Sequence, residues 1–187
     1  MIIATVELEG ISPYSQSKHH TTKKNERELP KDYEERTWRE RMHVNKDGYV
    51  FIPPMAFKNC VAEIAKFLSV QIPGKGKSTY TKHFEAGILV TEEVVLAFKK
   101  ADVQGEWLFL PSDGKRGSGT RVDKCYPVIP EWKASVTFYI LDEIITKDVF
   151  EDHLSKAGQF IGIGRFRPRN NGFYGRFRVL KVNWQKA

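Results

Sequence analysis

The chain has 187 residues, 41% of them hydrophobic, and a formal net charge of +7 at pH 7. This length and hydrophobic content allow one sizeable core, and no low-complexity linker divides the sequence. We therefore expect a single domain over residues 1–187, with loop insertions at about 12–36 and 105–130. The basic excess favours a polyanionic partner, although lysines spread for solubility would give the same total.

The cysteine pattern and the hydropathy exclude several classes of protein. Cys60 and Cys125 have no CxxC or CxxH spacing, so neither a disulfide framework nor a structural zinc site is indicated. No run approaches the roughly 18 apolar residues of a membrane span. We expect free thiols, no cofactor, no membrane partner and a cytoplasmic location.

The N-terminal part of the chain reads as one strand followed by a loop. Residues 2–8 alternate between apolar and polar side chains and are rich in β-branched types, which predicts a half-buried strand. Residues 12–31 are almost entirely polar and offer little to bury. We expect them to form an exposed, mobile loop.

The next segment allows two interpretations. Two runs, 37–44 and 49–52, flank the turn sequence Asn45-Lys46-Asp47-Gly48, whose residues tolerate positive φ, and this pattern predicts a β-hairpin. The alternative is a charged helix over residues 33–42. Local patterning leaves the choice between the hairpin and the helix open.

The middle of the chain contains the clearest helix. Pro53-Pro54 favours a helix start, and apolar residues at three-to-four spacing predict an amphipathic helix over 55–68. Residues 87–98 and 107–110 are typical of strands. The Gly- and Lys/Arg-rich run 112–121 predicts a basic loop or hairpin tip.

The last third repeats a strand-helix-strand pattern. Residues 134–141 form a predicted strand, and Thr146 is a predicted N-cap for a helix through Ala157. We expect Gly158 to end that helix in the left-handed conformation. Residues 160–164 and 177–184 are strand-like. The whole order predicts an α+β fold of ferredoxin-like or RRM-like type, an antiparallel sheet with helices on one face and β-hairpin insertions.

Residues 162–178 carry the strongest functional signal, with four glycines, five arginines, four aromatics and no acid. Glycines let a phosphate approach the backbone closely, arginines donate in bidentate fashion, and aromatic rings offer stacking faces. The segment therefore predicts binding of single-stranded nucleic acid. The alternative is a tight glycine-rich turn whose arginines are merely solvated.

Two motifs resemble the RAMP superfamily of CRISPR proteins, whose C-terminal loop reads G-hydrophobic-G, a basic spacer, then G-hydrophobic-x-G. Gly162-Ile163-Gly164 and Gly172-Phe173-Tyr174-Gly175 match this form. Residues 50–59, which include Pro53-Pro54, resemble the helix start of the subunits that line guide RNA. The resemblance implies RNA contacts at Lys58 and Asn59. The predicted contact set is Lys58, Asn59, Gly162, Gly164, Arg165, Arg167, Arg169, Gly172, Phe173, Tyr174, Gly175 and Arg176.

The resemblance also implies a partner and an assembly. The partner would be single-stranded RNA or DNA, with RNA favoured, and the chain would be a homo-oligomer or a subunit of a larger ribonucleoprotein in antiviral defence. Insertions in that family reach a neighbouring subunit or the strand itself, and head-to-tail copies along a strand would form an open filament. We therefore expect secondary contacts at Ser15, Lys18, His19, His20, Lys115, Arg116, Arg121 and Lys124.

Two other functions compete with simple binding. An endoribonuclease of RAMP type would need a general base and a cation, which His19 or His20 could supply with Lys18, Lys23 or Tyr14. Asp32 is the one carboxylate to consider for target cleavage. A metal site from His19, His20 and His43 lacks a recognised spacing, so we expect no metal. A protein-binding or inhibitory module acting through the basic hairpin is the third possibility.

Overall fold

The fold is described by a computed structural model for residues 1–115, 117 and 119–187. In chain order the strands are β1 (Ile2–Gly10), β2 (Tyr14–Ser15), β3 (Tyr49–Ile52), β4 (Ile88–Leu89), β5 (Val94–Lys99), β6 (Gln104–Pro111), β7 (Arg121–Ile129), β8 (Lys133–Ile140) and β9 (Phe177–Lys186). The α-helices are α1 (Pro30–Thr37), α2 (Pro54–Leu68), α3 (Thr81–Ala86) and α4 (Lys147–Lys156). None of the described helices is long and apolar enough to cross a membrane.

The central sheet has the strand order β4-β8-β1-β9, and every neighbouring pair is antiparallel. With α2 between β1 and β8 and α4 between β8 and β9, this is the ferredoxin-like order. The alternation of β1 sets its register, because Ala4, Val6 and Leu8 are buried on one face while Glu7 is exposed on the other. The predicted α+β, ferredoxin-like fold is confirmed.

Both long helices pack on the same face of this sheet through a chain of aromatic rings. Phe57 of α2 lies edge-on to Phe138 of β8, at 6.5 Å between ring centroids. Phe150 of α4 lies 5.2 Å from Phe138 and 5.7 Å from Trp184 of β9. These rings bury the apolar stripe of each helix that the three-to-four spacing predicts.

Two smaller sheets surround the core. Strands β6 and β7 form a long antiparallel hairpin over residues 104–129, and β2 pairs with the base of β7. The predicted basic hairpin tip lies at the turn of this hairpin, where the Ser112 amide donates to the Thr120 carbonyl. Strand β3 pairs with β5 and leads directly into α2.

The structure decides between the two interpretations of residues 33–52 and corrects a third expectation. Residues 30–41 are helical, as α1 followed by a 3₁₀ turn, so the charged helix is right and the hairpin is wrong apart from one bridge between Val44 and Val50. The early loop is also not wholly exposed. Ser12, Tyr14, Ser15 and Gln16 are buried, because this segment packs between the hairpin and the C-terminal loop.

The end of α4 differs from the prediction as well. Residues 157–161 form a π-helical turn, so the predicted strand over 160–164 is wrong. Gly158 lies inside that turn and has no positive φ, whereas Gly162, four residues later, has a positive φ of 67° with an extended ψ of −179°. Gly158 is required for another reason, because a Cβ there would overlap the Phe177 carbonyl of β9.

Candidate nucleic-acid interface

The C-terminal glycine loop is bonded along its length to the early segment that contains β2. The Arg165 amide donates to the Ser15 carbonyl at 2.8 Å, and the Gly175 amide donates to the Pro13 carbonyl at 2.8 Å. Each of these backbone groups is therefore satisfied within the chain. The two segments, far apart in sequence, form one surface.

The glycines of the loop are needed by the fold itself. Gly164 has φ 81° and Gly175 has φ 73°, a region that residues with a Cβ rarely adopt. A Cβ at Gly164 would overlap the Ser15 carbonyl, and one at Gly175 would overlap the Ile163 carbonyl. Gly162 and Gly175 are buried, so Gly164 is the exposed member of the three that have positive φ.

Arg165 is held in place by four partners. Its guanidinium lies 3.0 Å from the Glu106 carboxylate and donates to the Ser15 hydroxyl at 2.9 Å. It also lies over two rings, at 4.1 Å from the centroid of Tyr126 and 5.0 Å from that of Tyr174. Arg165 therefore ties the glycine loop to the base of the β6–β7 hairpin.

Some arginines of this loop form ion pairs. Because residues 162–178 contain no acid, we expect their arginines to be available to a ligand, and this expectation is wrong for those that are paired. Arg167 pairs with Glu63 of α2 at 2.7 Å, and Arg178 pairs with Glu9 of β1. These acids come from distant parts of the chain. Among the described residues, the side chains of Arg169 and Arg176 make no hydrogen bond or ion pair, and both are exposed.

The aromatic residues of the loop divide in the same way. The Tyr174 hydroxyl donates to the Glu106 carboxylate at 2.6 Å, and burial followed by that carboxylate raises the pKa of Tyr174. Phe173 is 59% exposed and Phe166 is 53% exposed. Phe173 and Phe166 are therefore the rings on which a base could stack. Gly172 lies between them in sequence, and a Cβ there would overlap the Phe166 carbonyl.

The first turn of α2 lies on the same side of the molecule. Pro53 and Pro54 start the helix, and its first turn has neither a side-chain cap nor an acidic residue. The positive end of the helix dipole is therefore not compensated locally. Lys58 donates its amine to the Glu85 carbonyl at 2.6 Å, whereas Asn59 is exposed.

A cleft of about 210 Å³ joins these elements. Its walls come from the early segment, the start of α2 and the glycine loop, and no described acidic residue lines it. The lining residues are Tyr14, Gln16, Ser17, Lys18, His43, Pro53, Ala56, Gly164 and Arg165. Gln16 fixes the wall, because its side chain donates to the Phe51 carbonyl and accepts from the His43 amide, each at 2.7 Å.

The predicted secondary contacts do not all lie together. Lys18, His19, His20 and Lys124 line a second cavity beside the cleft. Ser15 is buried and serves as a partner of Arg165 instead. Lys115 and Arg121 are exposed on the hairpin, away from both cavities, and Arg116 lies outside the described residues.

The candidate catalytic residues are not brought together in one site. Asp32 is exposed in the first turn of α1 and lines neither cavity. Tyr14 is buried, and that burial raises the pKa of its hydroxyl, so it cannot act as a base near neutral pH. Burial lowers the pKa of His20, and the nearby charge of Arg41 lowers it further. No three His, Cys, Asp or Glu side chains among the described residues are placed to hold a metal ion.

A larger cavity, of about 740 Å³, lies at the end of β1 and the start of β8 and has a different character. It is lined by both signs of charge, with Glu9 and Glu131 facing Lys133 and Arg178. Such a mixed surface does not favour a polyanion. The acid-free cleft is therefore the better candidate despite its smaller volume.

No family model matches the chain, and no curated protein matches it in sequence. Its fold is similar to those of many solved chains, two of which follow. One is a chain in the cryo-EM structure of the type III-B Cmr-beta bound to cognate target RNA, with a TM-score of 0.59 and 13% identity over 99% of this chain. The other is the crystal structure of Cmr6 from Pyrococcus furiosus, with a TM-score of 0.52 and 11% identity over 96% of this chain and 99% of that one.

Both neighbours are RAMP-type subunits of type III CRISPR complexes. The chain has a RAMP-type fold. The resemblance that the two glycine motifs suggested is thus confirmed at the level of the fold. The chain spans 61% of the length of the Cmr-beta chain that it matches, and it spans nearly all of Cmr6.

Several residues of this surface have no signal in the local sequence. Arg41 donates to the Cys125 carbonyl, 84 positions later, and Glu106 meets Arg165 from 59 positions away. The ring of Tyr126 contacts the guanidinium groups of both Arg41 and Arg165. The Pro53-Pro54 start of α2 and the two glycine motifs could be recognised from the sequence, because both are local signals.

Proposed function

We propose that the chain binds single-stranded nucleic acid, RNA in preference, by holding the phosphodiester backbone in the cleft between α2 and the glycine loop. One observation carries the proposal: three separate elements converge on a cleft that no described acidic residue lines. Lys18 is the exposed cation of its lining, whereas Arg165 lines it while paired with Glu106. The uncompensated start of α2 adds positive potential.

The contacts that the cleft offers are suited to a backbone rather than to particular bases. Gly164 is exposed, so a phosphate can approach the main chain there. The exposed rings of Phe173 and Phe166 belong to the same loop but do not line the cleft, and they offer stacking faces that accept every base. The predicted binding is therefore tolerant of sequence and weaker for duplex, in which the base faces are covered.

The proposal extends to assembly as a subunit along a strand. The Cmr-beta neighbour is described as bound to cognate target RNA, and the shared fold supports the same class of ligand here. Copies placed head to tail along a strand would make a heterologous contact that does not close. Light scattering with short and long oligonucleotides tests this: the long strand should bind several chains, and strict one-to-one binding would contradict it. A cytoplasmic location stays a prediction.

A charge placed in the cleft tests the binding site. Ala56 lies in the first turn of α2 and lines the cleft, and an acid in a first turn stabilises a helix by about 0.3–1 kcal/mol. Ala56 is also partly buried against the core, so the dipole effect offsets part of the cost of the larger side chain, and the melting temperature of Ala56→Glu is measured before binding is compared. The variant should weaken binding of single-stranded RNA at least tenfold, since repulsion of about 1.4 kcal/mol from a bound phosphate suffices.

Met55→Glu is the matched control. Met55 precedes Ala56 in the same turn but is 54% exposed and does not line the cleft. It introduces the same charge, so any long-range repulsion is common to both variants and is screened beyond about 10 Å at 0.1 M salt. Equal binding by Ala56→Glu and the parent would place the nucleic acid elsewhere on the molecule.

A further inference from the structure

A second cavity lies beside the cleft, at the base of the β6–β7 hairpin, and has a volume of about 340 Å³. It shares Ser17 and Lys18 with the cleft, so the two adjoin each other, and together they are called the groove. The other walls come from the early segment, α1, the 3₁₀ turn after it and β7. The lining residues are Ser17, Lys18, His19, His20, Tyr33, Arg41, Lys124 and Tyr126.

The residues that line this cavity carry a net positive charge. Its lining includes Lys18, Arg41 and Lys124 and no described acidic residue. The Glu40 carboxylate, which interacts with the charges of His20 and Lys18, does not line the cavity and pairs with Lys100 at 2.7 Å. The Glu34 carboxylate is only 1% exposed and lies behind the wall. It accepts from Arg41, from Lys124 at 3.3 Å and from the Cys125 amide at 2.7 Å. Its oxygens are therefore occupied, and it is shielded from a ligand in the cavity.

The aromatic rings of the cavity are already covered by cations. Arg165 lies 4.1 Å and Arg41 lies 5.0 Å from the centroid of Tyr126. Tyr33 stacks with His20 at 6.4 Å and has Arg36 at 5.7 Å from its centroid. Rings held in this way are poor platforms for a nucleobase. The free donors are instead those of Lys18 and His19, together with the remaining hydrogens of the Lys124 amine, which suit a phosphate.

We propose that this cavity is a second phosphodiester site, into which a strand bound in the cleft turns and places a further phosphate against Lys18, His19 and Lys124. The inference rests on the proposed function, because the same strand must occupy the cleft. The second site adds a path for the strand to the proposed function. The nucleic-acid backbone leaves the glycine loop, passes Ser17 and Lys18, and ends at the base of the hairpin. The groove therefore accommodates a longer strand than the cleft alone.

Two variants and two lengths of RNA test the path. Lys124→Gln keeps a hydrogen-bonding group near Glu34, and His19→Gln alters an exposed side chain that makes no hydrogen bond to a described residue. Lys181→Gln is the control, since Lys181 is exposed on β9 and lines neither cavity. Fluorescence anisotropy is measured with oligoribonucleotides of about 4 and about 12 nucleotides, which span the usual range of single-strand site sizes.

We expect each variant to weaken binding of the long oligonucleotide by roughly threefold to tenfold and to reduce the salt slope by about 0.7 for each phosphate that is no longer bound. Binding of the short oligonucleotide should stay at the parent value, as should both affinities of Lys181→Gln. Equally weakened binding of short and long RNA, or unchanged binding of the long one, would overturn the second site alone. If the parent binds neither RNA, the proposed function fails and this inference fails with it.

Discussion

Arg165 and Arg169 stand four residues apart in the same loop, yet their surroundings differ. Arg165 is 13% exposed and is bonded to Glu106 and Ser15, so it behaves as a residue of the interior. Arg169 is exposed and has no ion pair among the described residues, and Arg176 resembles it. Charge alone therefore does not tell which arginine is available to a phosphate.

This difference predicts opposite effects for two variants. Arg169→Ala with Arg176→Ala should change the free energy of unfolding by no more than about 0.5 kcal/mol per site. The double variant should weaken single-stranded RNA binding and reduce the salt slope by about 0.7 for each phosphate that these arginines neutralise. Arg165→Ala should instead destabilise the fold by about 1 kcal/mol or more, because the buried Ser15 hydroxyl loses its donor and the part-exposed Glu106 loses its counter-charge.

Urea denaturation and fluorescence anisotropy on the same preparations measure both effects. The parent protein and Lys181→Gln serve as references for stability and for binding, respectively. Unchanged stability of Arg165→Ala would show that its bonds to Glu106 and Ser15 are not maintained in solution. Unchanged RNA binding by the double variant would remove Arg169 and Arg176 from the contact set.

At the scale of elements, the buried carboxylate of Glu34 joins α1 to β7. Arg41 and Lys124 flank it, and the Cys125 amide donates to it at 2.7 Å. Burial alone would raise the pKa of Glu34, but the hydrogen bonds from Arg41 and Cys125 outweigh burial, and the pKa is lowered from its ordinary value of 4.5. The ionised form therefore stabilises this junction.

Replacing that carboxylate should loosen the junction. Glu34→Gln keeps the shape but leaves Arg41 without its counter-charge, which should cost about 3 kcal/mol of unfolding free energy. A carboxyl group whose pKa is lowered on folding contributes stability above its unfolded value, near pH 4.5, and this contribution is lost as the pH falls through the folded value. The acid-induced loss of stability should thus be smaller in Glu34→Gln than in the parent.

Denaturant titrations at neutral pH and at several lower pH values measure both the free energy of unfolding and its loss on acidification. Glu35→Gln is the matched control, because Glu35 is the next residue of α1 and is exposed. It should behave as the parent at every pH. A Glu34→Gln protein as stable as the parent at pH 7 would mean that the network contributes nothing to folding.

The elements that the sequence predicts correctly are those with a strong local period. The alternation of β1 and the apolar stripe of α2 are present in short windows, and the structure bounds both within two residues of the prediction. Residues 37–44 misled the hairpin prediction, because β5, far along the chain, is the true partner of β3. Likewise, the acids that pair with Arg165 and Arg167 are supplied by other elements, which no window around the loop contains.

For the whole molecule, the ferredoxin-like core explains why distant segments meet at one groove. Helix α2 begins directly after β3, and the glycine loop, which connects α4 to β9, lies beside the start of α2. The early segment after β1 packs between them and carries Lys18 into the groove. The proposed role of this groove is to bind the backbone of a single strand through its positive potential.

Fluorescence anisotropy of the parent protein with labelled single-stranded RNA, and with a duplex of the same sequence, tests that claim most directly. Salt is varied from about 50 mM to about 200 mM, a range over which proteins that contact several phosphates lose much of their affinity. We expect the single strand to bind more tightly than the duplex. The logarithm of its affinity should fall linearly with the logarithm of salt concentration, with a slope of about −0.7 per phosphate contacted. Absence of single-strand binding at low salt, or an affinity that does not change with salt, would contradict the account.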